Sequence, residues 1–177
     1  MQKVWCVLSL KRGIIGFSVK NELAFVSHLE IVTMFERFFR KNQIKLDYSQ
    51  GFNPHPKIVI PVPRSTGVES AAEYLEFIFE DCDIEVLKKC LPERIGKIFL
   101  LEKCDLNDKK LSGKIQSIKY RFYGKIENMP ETKGYKSLIK AFKTDYGFEL
   151  ETEADFSFSR FTKEMNFEQV EREIILK

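Results

Sequence analysis

The chain has 177 residues, of which 44% are hydrophobic and 13% aromatic, with 16 phenylalanines. That is ample apolar surface for one domain, or for two small ones sharing a core, and it excludes a disordered chain. The formal net charge of +3 argues neither for nor against a polyanionic partner. Early in the chain, IIGFSVKNELAF mixes β-formers with an Asn-Glu turn and reads as a strand or a hairpin. SHLEIVTMFERFFRKN follows, with Ser27 and Glu30 at capping-box spacing. Leu29, Val32, Phe35 and Phe39 recur at helical spacing, and Ile31 and Phe38 widen the stripe. Arg37, Arg40 and Lys41 fall in the last turns, where cations suit the negative end of the helix dipole.

IKLDYS alternates and predicts a strand that runs into Gly51 and a proline-rich loop. KIVIPV leaves that loop as a second extended segment, limited by Pro61 and Pro63, which cannot donate to a ladder. AEYLEFIFE sets Leu75, Phe77 and Phe79 against Glu76 and Glu80, a strand with one buried face. Asp83 caps a short helix, IEVLKKCL, that stops near Pro92, and KIFLLEK closes this half as a strand. The order strand, helix, strand, strand, helix, strand is the split βαβ pattern of a ferredoxin-like α+β domain, placed over residues 1–104.

DLNDKKLSGK is polar and turn-rich, so residues 105–113 read as a linker. A smaller α+β half is expected over 114–177. In it IQSIKYRFYGKI reads as a strand, and KGYKSLIKAFKTDYG as a helix with Leu138, Ile139 and Phe142 inward and Gly147 at its end. FELET and FSFSRFT read as extended, and NFEQVEREI as a short helix. Comparing FERFFRKNQIKLDY with LIKAFKTDYGFELE hints that the second half repeats the first.

Charge is polarised along the sequence. From Glu36 to Arg64 there are six Lys/Arg against two acids, a local +4, and from Glu69 to Asp108 five against eleven, a local −6. The loop YSQGFNPHPK lies in the basic block. Gly51 is expected to supply a positive φ, and Pro54 and Pro56 fix two φ angles, so the segment has little entropy to lose on binding. Tyr48, Ser49, Gln50, Phe52, Asn53, His55 and Lys57 are its candidate binding side chains, with Arg37, Arg40, Lys41, Lys45 and Arg64 around it. A tight structural connection whose amides satisfy their own backbone is the other reading. Cys6, Cys82, Cys90 and Cys104 form no CxxC pair and no metal-ligand spacing, and CxxxCxxC is absent, so neither metal nor cofactor is expected of this chain. Free thiols, no run of roughly 20 apolar residues and no signal-like start lead to the expectation of a cytoplasmic protein.

The stretch LAFVSHLEIVTMFERFFRKNQIKLDYSQGFNPHPKI, with GVESAAEYLEF after it, resembles the uncharacterised radical-SAM-linked family. That is a bacterial domain of unknown function encoded beside, or fused behind, a radical S-adenosylmethionine protein. The likeness runs from about Phe17 to Phe79 and is carried by the Ser-His-Leu helix start, the Tyr48–Lys57 loop and the Gly-Val-Glu-Ser segment. Glu30 replaces the family's usual Asp and keeps the capping role, whereas Ala24 replaces a frequent basic residue. The resemblance implies a radical SAM partner that carries the cluster. It also associates the chain with RNA, because members are often encoded near ribosomal proteins and an RNA-processing nuclease.

Three functions are open on this sequence. In the first, an accessory module without catalysis holds RNA or a nucleotide-like substrate, with Lys and Arg on phosphates and Tyr48 or Phe52 stacked on an unpaired base. In the second, His28 and His55 act as general base and acid of a metal-independent RNA-cleaving enzyme, with Lys57 on the developing charge. In the third, the basic loop docks an acidic protein surface.

Overall fold

The capping box at Ser27 forms as expected: Ser27 Oγ accepts from the Glu30 amide at 3.3 Å, and the Glu30 carboxylate accepts from the Ser27 amide at 2.9 Å. It starts α1 (His28–Lys41), which buries Ile31, Phe35 and Phe39. Leu29 is the exception in the predicted stripe and lies 74% exposed. The computed structural model describes residues 9–89, 96–124, 135–162 and 167–177. Within them are the strands β1 (Leu10–Val19), β2 (Ile58–Val59), β3 (Glu69–Glu80), β4 (Ile98–Cys104), β5 (Ile115–Tyr123), β6 (Leu138–Thr144), β7 (Gly147–Thr152) and β8 (Gln169–Leu176). Three short helices complete the set: α2 (Ile84–Lys89), α3 (Leu111–Lys114) and α4 (Phe158–Phe161). The chain is mixed α/β and rich in strand.

All eight strands join one sheet in the order β4-β1-β3-β8-β5-β7-β6, with β2 on the edge of β3. Pairing is antiparallel except between β3 and β8, which run parallel over Glu69–Ala72 and Glu171–Glu173. One apolar cluster lies between the sheet and α1, where Phe17 packs on Phe35 at 5.2 Å and Phe77 stacks on Phe39 at 4.4 Å between ring centres. A second holds Tyr120, Phe122, Phe148, Leu150, Val170 and Ile174 against Phe156 and Phe161, and reaches Ile14, Ala72 and Tyr74 of the first half. Leu111, from the segment read as a linker, is fully buried in that second cluster.

Four expected elements differ. IKLDYS makes two isolated bridges, Leu46 to Phe79 and Tyr48 to Pro56, because it shares one edge of β3 with residues 57–59 and Pro56 has no amide to offer. Leu138–Thr144 is strand β6 rather than helix: its apolar spacing fits either element, and the ladder to β7, with Ala141 opposite Leu150, decides for strand. Ile139 and Phe142 consequently lie about half exposed. Gly147 opens β7 instead of ending a helix. Its φ is +149°, and a Cβ there would sit 2.0 Å from the Phe122 carbonyl oxygen, so close approach to β5 demands glycine. FSFSRFT contains the turn α4, with Phe161 buried, and VEREI is β8, where Val170, Arg172 and Ile174 alternate inward. An arginine in the inward register hid that period. The expected stop at Pro92, and Lys133 and Gly134 of the expected helix, lie outside the described residues, as do Cys6 and Cys90.

That arginine holds the seam between β3 and β8. Arg172 and Glu73 are 1% and 2% exposed, and the guanidinium donates to both carboxylate oxygens at 2.6 Å. Two of its three remaining donors reach the Val62 and Pro63 carbonyls at 2.9 and 3.0 Å, in a proline segment with no ladder to satisfy them.

Candidate functional site

Proline and glycine shape Tyr48–Lys57 as the composition implies, and β3 anchors its base. The Asp47 amide donates to the Ile78 carbonyl and the Ile78 amide to the Lys57 carbonyl, while the Lys57 amide closes the neck on the Asp47 carbonyl at 2.8 Å. One step further out, the Ser49 amide donates to the His55 carbonyl at 2.8 Å, and the His55 amide to Ser49 Oγ at 2.9 Å. Beyond this double clamp Gln50, Gly51, Phe52, Asn53 and Pro54 stand in solvent. Gly51 takes φ +140° with open space around it. Phe52 is fully exposed. The loop is thus closed at its base by its own backbone and presents an unpacked aromatic at its tip.

Beside the base is a recess of about 430 Å³ lined by Ser49, His55, Pro56 and Lys57 of the loop, Ile58, Val59 and Pro61 after it, Glu76 and Ile78 of β3, Arg12 of β1, and Lys110 and Ser112. Glu76 and Ile78 alternate with Leu75, Phe77 and Phe79, so these two strand residues point away from the face that packs on α1. Arg12 is 4% exposed; its guanidinium donates to the Leu106 and Asp108 carbonyls and lies 3.4 Å from the Glu76 carboxylate. Glu76 also accepts from the Leu111 amide at 2.6 Å. Arg12, Glu76, Lys110 and Ser112 escaped the sequence reading, since no local pattern joins them to the loop. The inward parity of Arg12 beside Ile14 was the one available signal.

The remaining candidates divide. Arg64 is 6% exposed, and its guanidinium donates to the carbonyls of Leu23, Ala24, Ser65, Val26 and Val68, so it fastens the segment before α1 and is not a surface cation. Arg40 pairs with Glu36, Lys45 with Glu80 at 3.0 Å and Lys57 with Asp47 at 2.6 Å. These are exposed pairs, each worth little and open to exchange for a ligand anion. Arg37 and Lys41 are exposed and, among the described residues, in no ion pair. Tyr48 is partly exposed beside Pro56.

His28 and His55 have different surroundings. The recess that His55 lines does not include His28, and no hydrogen bond joins them. His28 sits at the start of α1, where burial lowers its pKa below the ordinary imidazole value; Glu73 opposes this, and Arg172 and Arg64 reinforce it. A base whose pKa falls on folding favours the unfolded chain under acid. Stability tied to His28 is therefore whole above about pH 6.5 and is lost as pH falls toward the depressed folded value. Urea midpoints are expected to drop on acidification from about pH 7 to pH 5, and less steeply for His28→Gln. Parallel profiles for the two proteins would refute this.

Among the described residues, no helix is long and apolar enough to cross a membrane, and no three His, Cys, Asp or Glu side chains are grouped to hold a metal. The model of a family described as an uncharacterized protein conserved in bacteria (DUF2344) matches residues 12–173, and the chain belongs to that family. No curated protein and no solved structure matches it.

Proposed function

We propose that this chain is a non-catalytic accessory module that holds RNA, or a nucleotide-like substrate, for a radical S-adenosylmethionine partner in the bacterial cytoplasm. The observation that carries the RNA part is the clamped loop, with Phe52 unpacked at its tip and Lys57 and His55 at the rim of a recess. A rigid loop gives up little entropy on binding, an exposed ring offers a face to an unstacked base, and the Lys57 ammonium suits a phosphate. The radical SAM partner rests on the resemblance in the Tyr48–Lys57 loop and the α1 start.

In the same reading each half follows a ferredoxin-like plan. Supporting this, β4-β1-β3 with β2 beyond and β8-β5-β7-β6 have the same order counted within each half, antiparallel throughout.

Binding to a short single-stranded RNA at several salt concentrations tests the module. Lys57→Ala with Lys110→Ala is expected to weaken affinity and to reduce the slope of log K against log salt by about one for each phosphate contact removed. An unchanged slope and affinity would dismiss RNA as the ligand. Binding of the partner protein that RNA does not displace would favour a protein-docking loop instead.

A further inference from the structure

The recess has two kinds of lining. Pro56, Val59 and Pro61 are its apolar members, and Val59 is 52% exposed despite lying in a strand. Ser49, Ser112, His55 and Lys110 contribute hydroxyl, imidazole and ammonium groups. Charge on the lining is largely matched: Arg12 faces Glu76, and Lys57 is held by Asp47. Among the described residues Lys110 is in no ion pair and no side-chain hydrogen bond, so of the lysines and arginines on the lining it is the one without a counter-charge there. A volume of about 430 Å³ lies in the range of small-ligand pockets, roughly 300–1,000 Å³. A ligand matching both kinds of lining has a flat, weakly polar body and one anionic end.

We infer that this recess seats a single nucleotide, its base against Pro56, Val59 and Pro61 and its phosphate between Lys110 and His55. The inference rests on the nucleic-acid reading of the loop and adds to it the part of the strand that is gripped: one nucleotide enters at the loop base while the neighbouring base meets Phe52. Ser49 and Ser112 supply neutral donors, which orient a phosphate without adding charge.

Calorimetric titration of the full chain with adenosine 5′-monophosphate, adenosine, ribose 5-phosphate and inorganic phosphate tests it. The monophosphate is expected to bind saturably, and the other three at least tenfold more weakly, since each lacks one of the two matched parts. Lys110→Ala should weaken monophosphate binding at least tenfold, and Lys143→Ala on the exposed face of β6 should leave it unchanged. Equal binding of ribose 5-phosphate would remove the base seat, and equal binding of adenosine would remove the phosphate seat; either overturns the inference. Short RNA that binds while the monophosphate does not overturns the recess assignment alone and leaves the loop reading standing. Monophosphate binding with no RNA binding supports the recess and overturns the loop reading.

Discussion

Glu73→Ala is expected to destabilise the protein by about 3–5 kcal/mol, because it strands the Arg172 guanidinium in a buried site. Both side chains are essentially inaccessible, and the carboxylate takes two of the guanidinium's donors. The reverse change, Arg172→Ala, should be no milder: it leaves Glu73 without its partner and deprives the Val62 and Pro63 carbonyls of their donor. Replacing both, Glu73→Leu with Arg172→Met, is expected to recover much of the loss, as swapping a buried pair for apolar groups often does. Urea denaturation of the three variants measures this. A single substitution that loses less than about 1 kcal/mol would mean the pair is wetter than its geometry indicates.

Phe52→Ala is expected to lower affinity for single-stranded RNA by the equivalent of about 1–3 kcal/mol, roughly five- to more than a hundredfold, with stability within about 0.5 kcal/mol of the parent. The two halves of that expectation have one origin. The ring touches nothing that holds the fold, so its removal opens no cavity, yet it is the largest apolar surface on a loop fixed in advance. Phe52→Trp should preserve or strengthen binding, which a merely structural role would not explain. Fluorescence anisotropy on a labelled oligonucleotide decides, and an alanine variant that binds like the parent would leave Phe52 out of the interface.

Sequence patterns were informative where one short-range force dominates. Ser27 and Glu30 mark the start of α1 because the capping box is local, and Leu75, Phe77 and Phe79 mark β3 because one face is uniformly apolar. Gly51 and the two prolines described the loop for the same reason. Patterns misled where partners are distant. Leu138–Thr144 carries a spacing that a helix also satisfies, and β7 decides the matter. The strand at Gln169–Leu176 was masked by Arg172, whose inward position makes sense only once Glu73, almost a hundred residues earlier, lies beside it. Arg64 looked like a ligand cation because nothing near it in sequence shows five carbonyls waiting. Likewise the recess joins β1, β3 and residues 110–112 to the loop, a meeting set by topology alone.

The parallel seam carries a consequence for biosynthesis. Strand β8, the eighth in chain order, lies between β3 and β5 and supplies the donors for Val62 and Pro63, just downstream of the loop. While the polypeptide is still emerging from the ribosome, the Glu69–Ala72 stretch of β3 is therefore an unpaired edge, open to wrong partners until β8 arrives. Truncated translation products should be captured by chaperones in proportion to how much of 169–176 they lack.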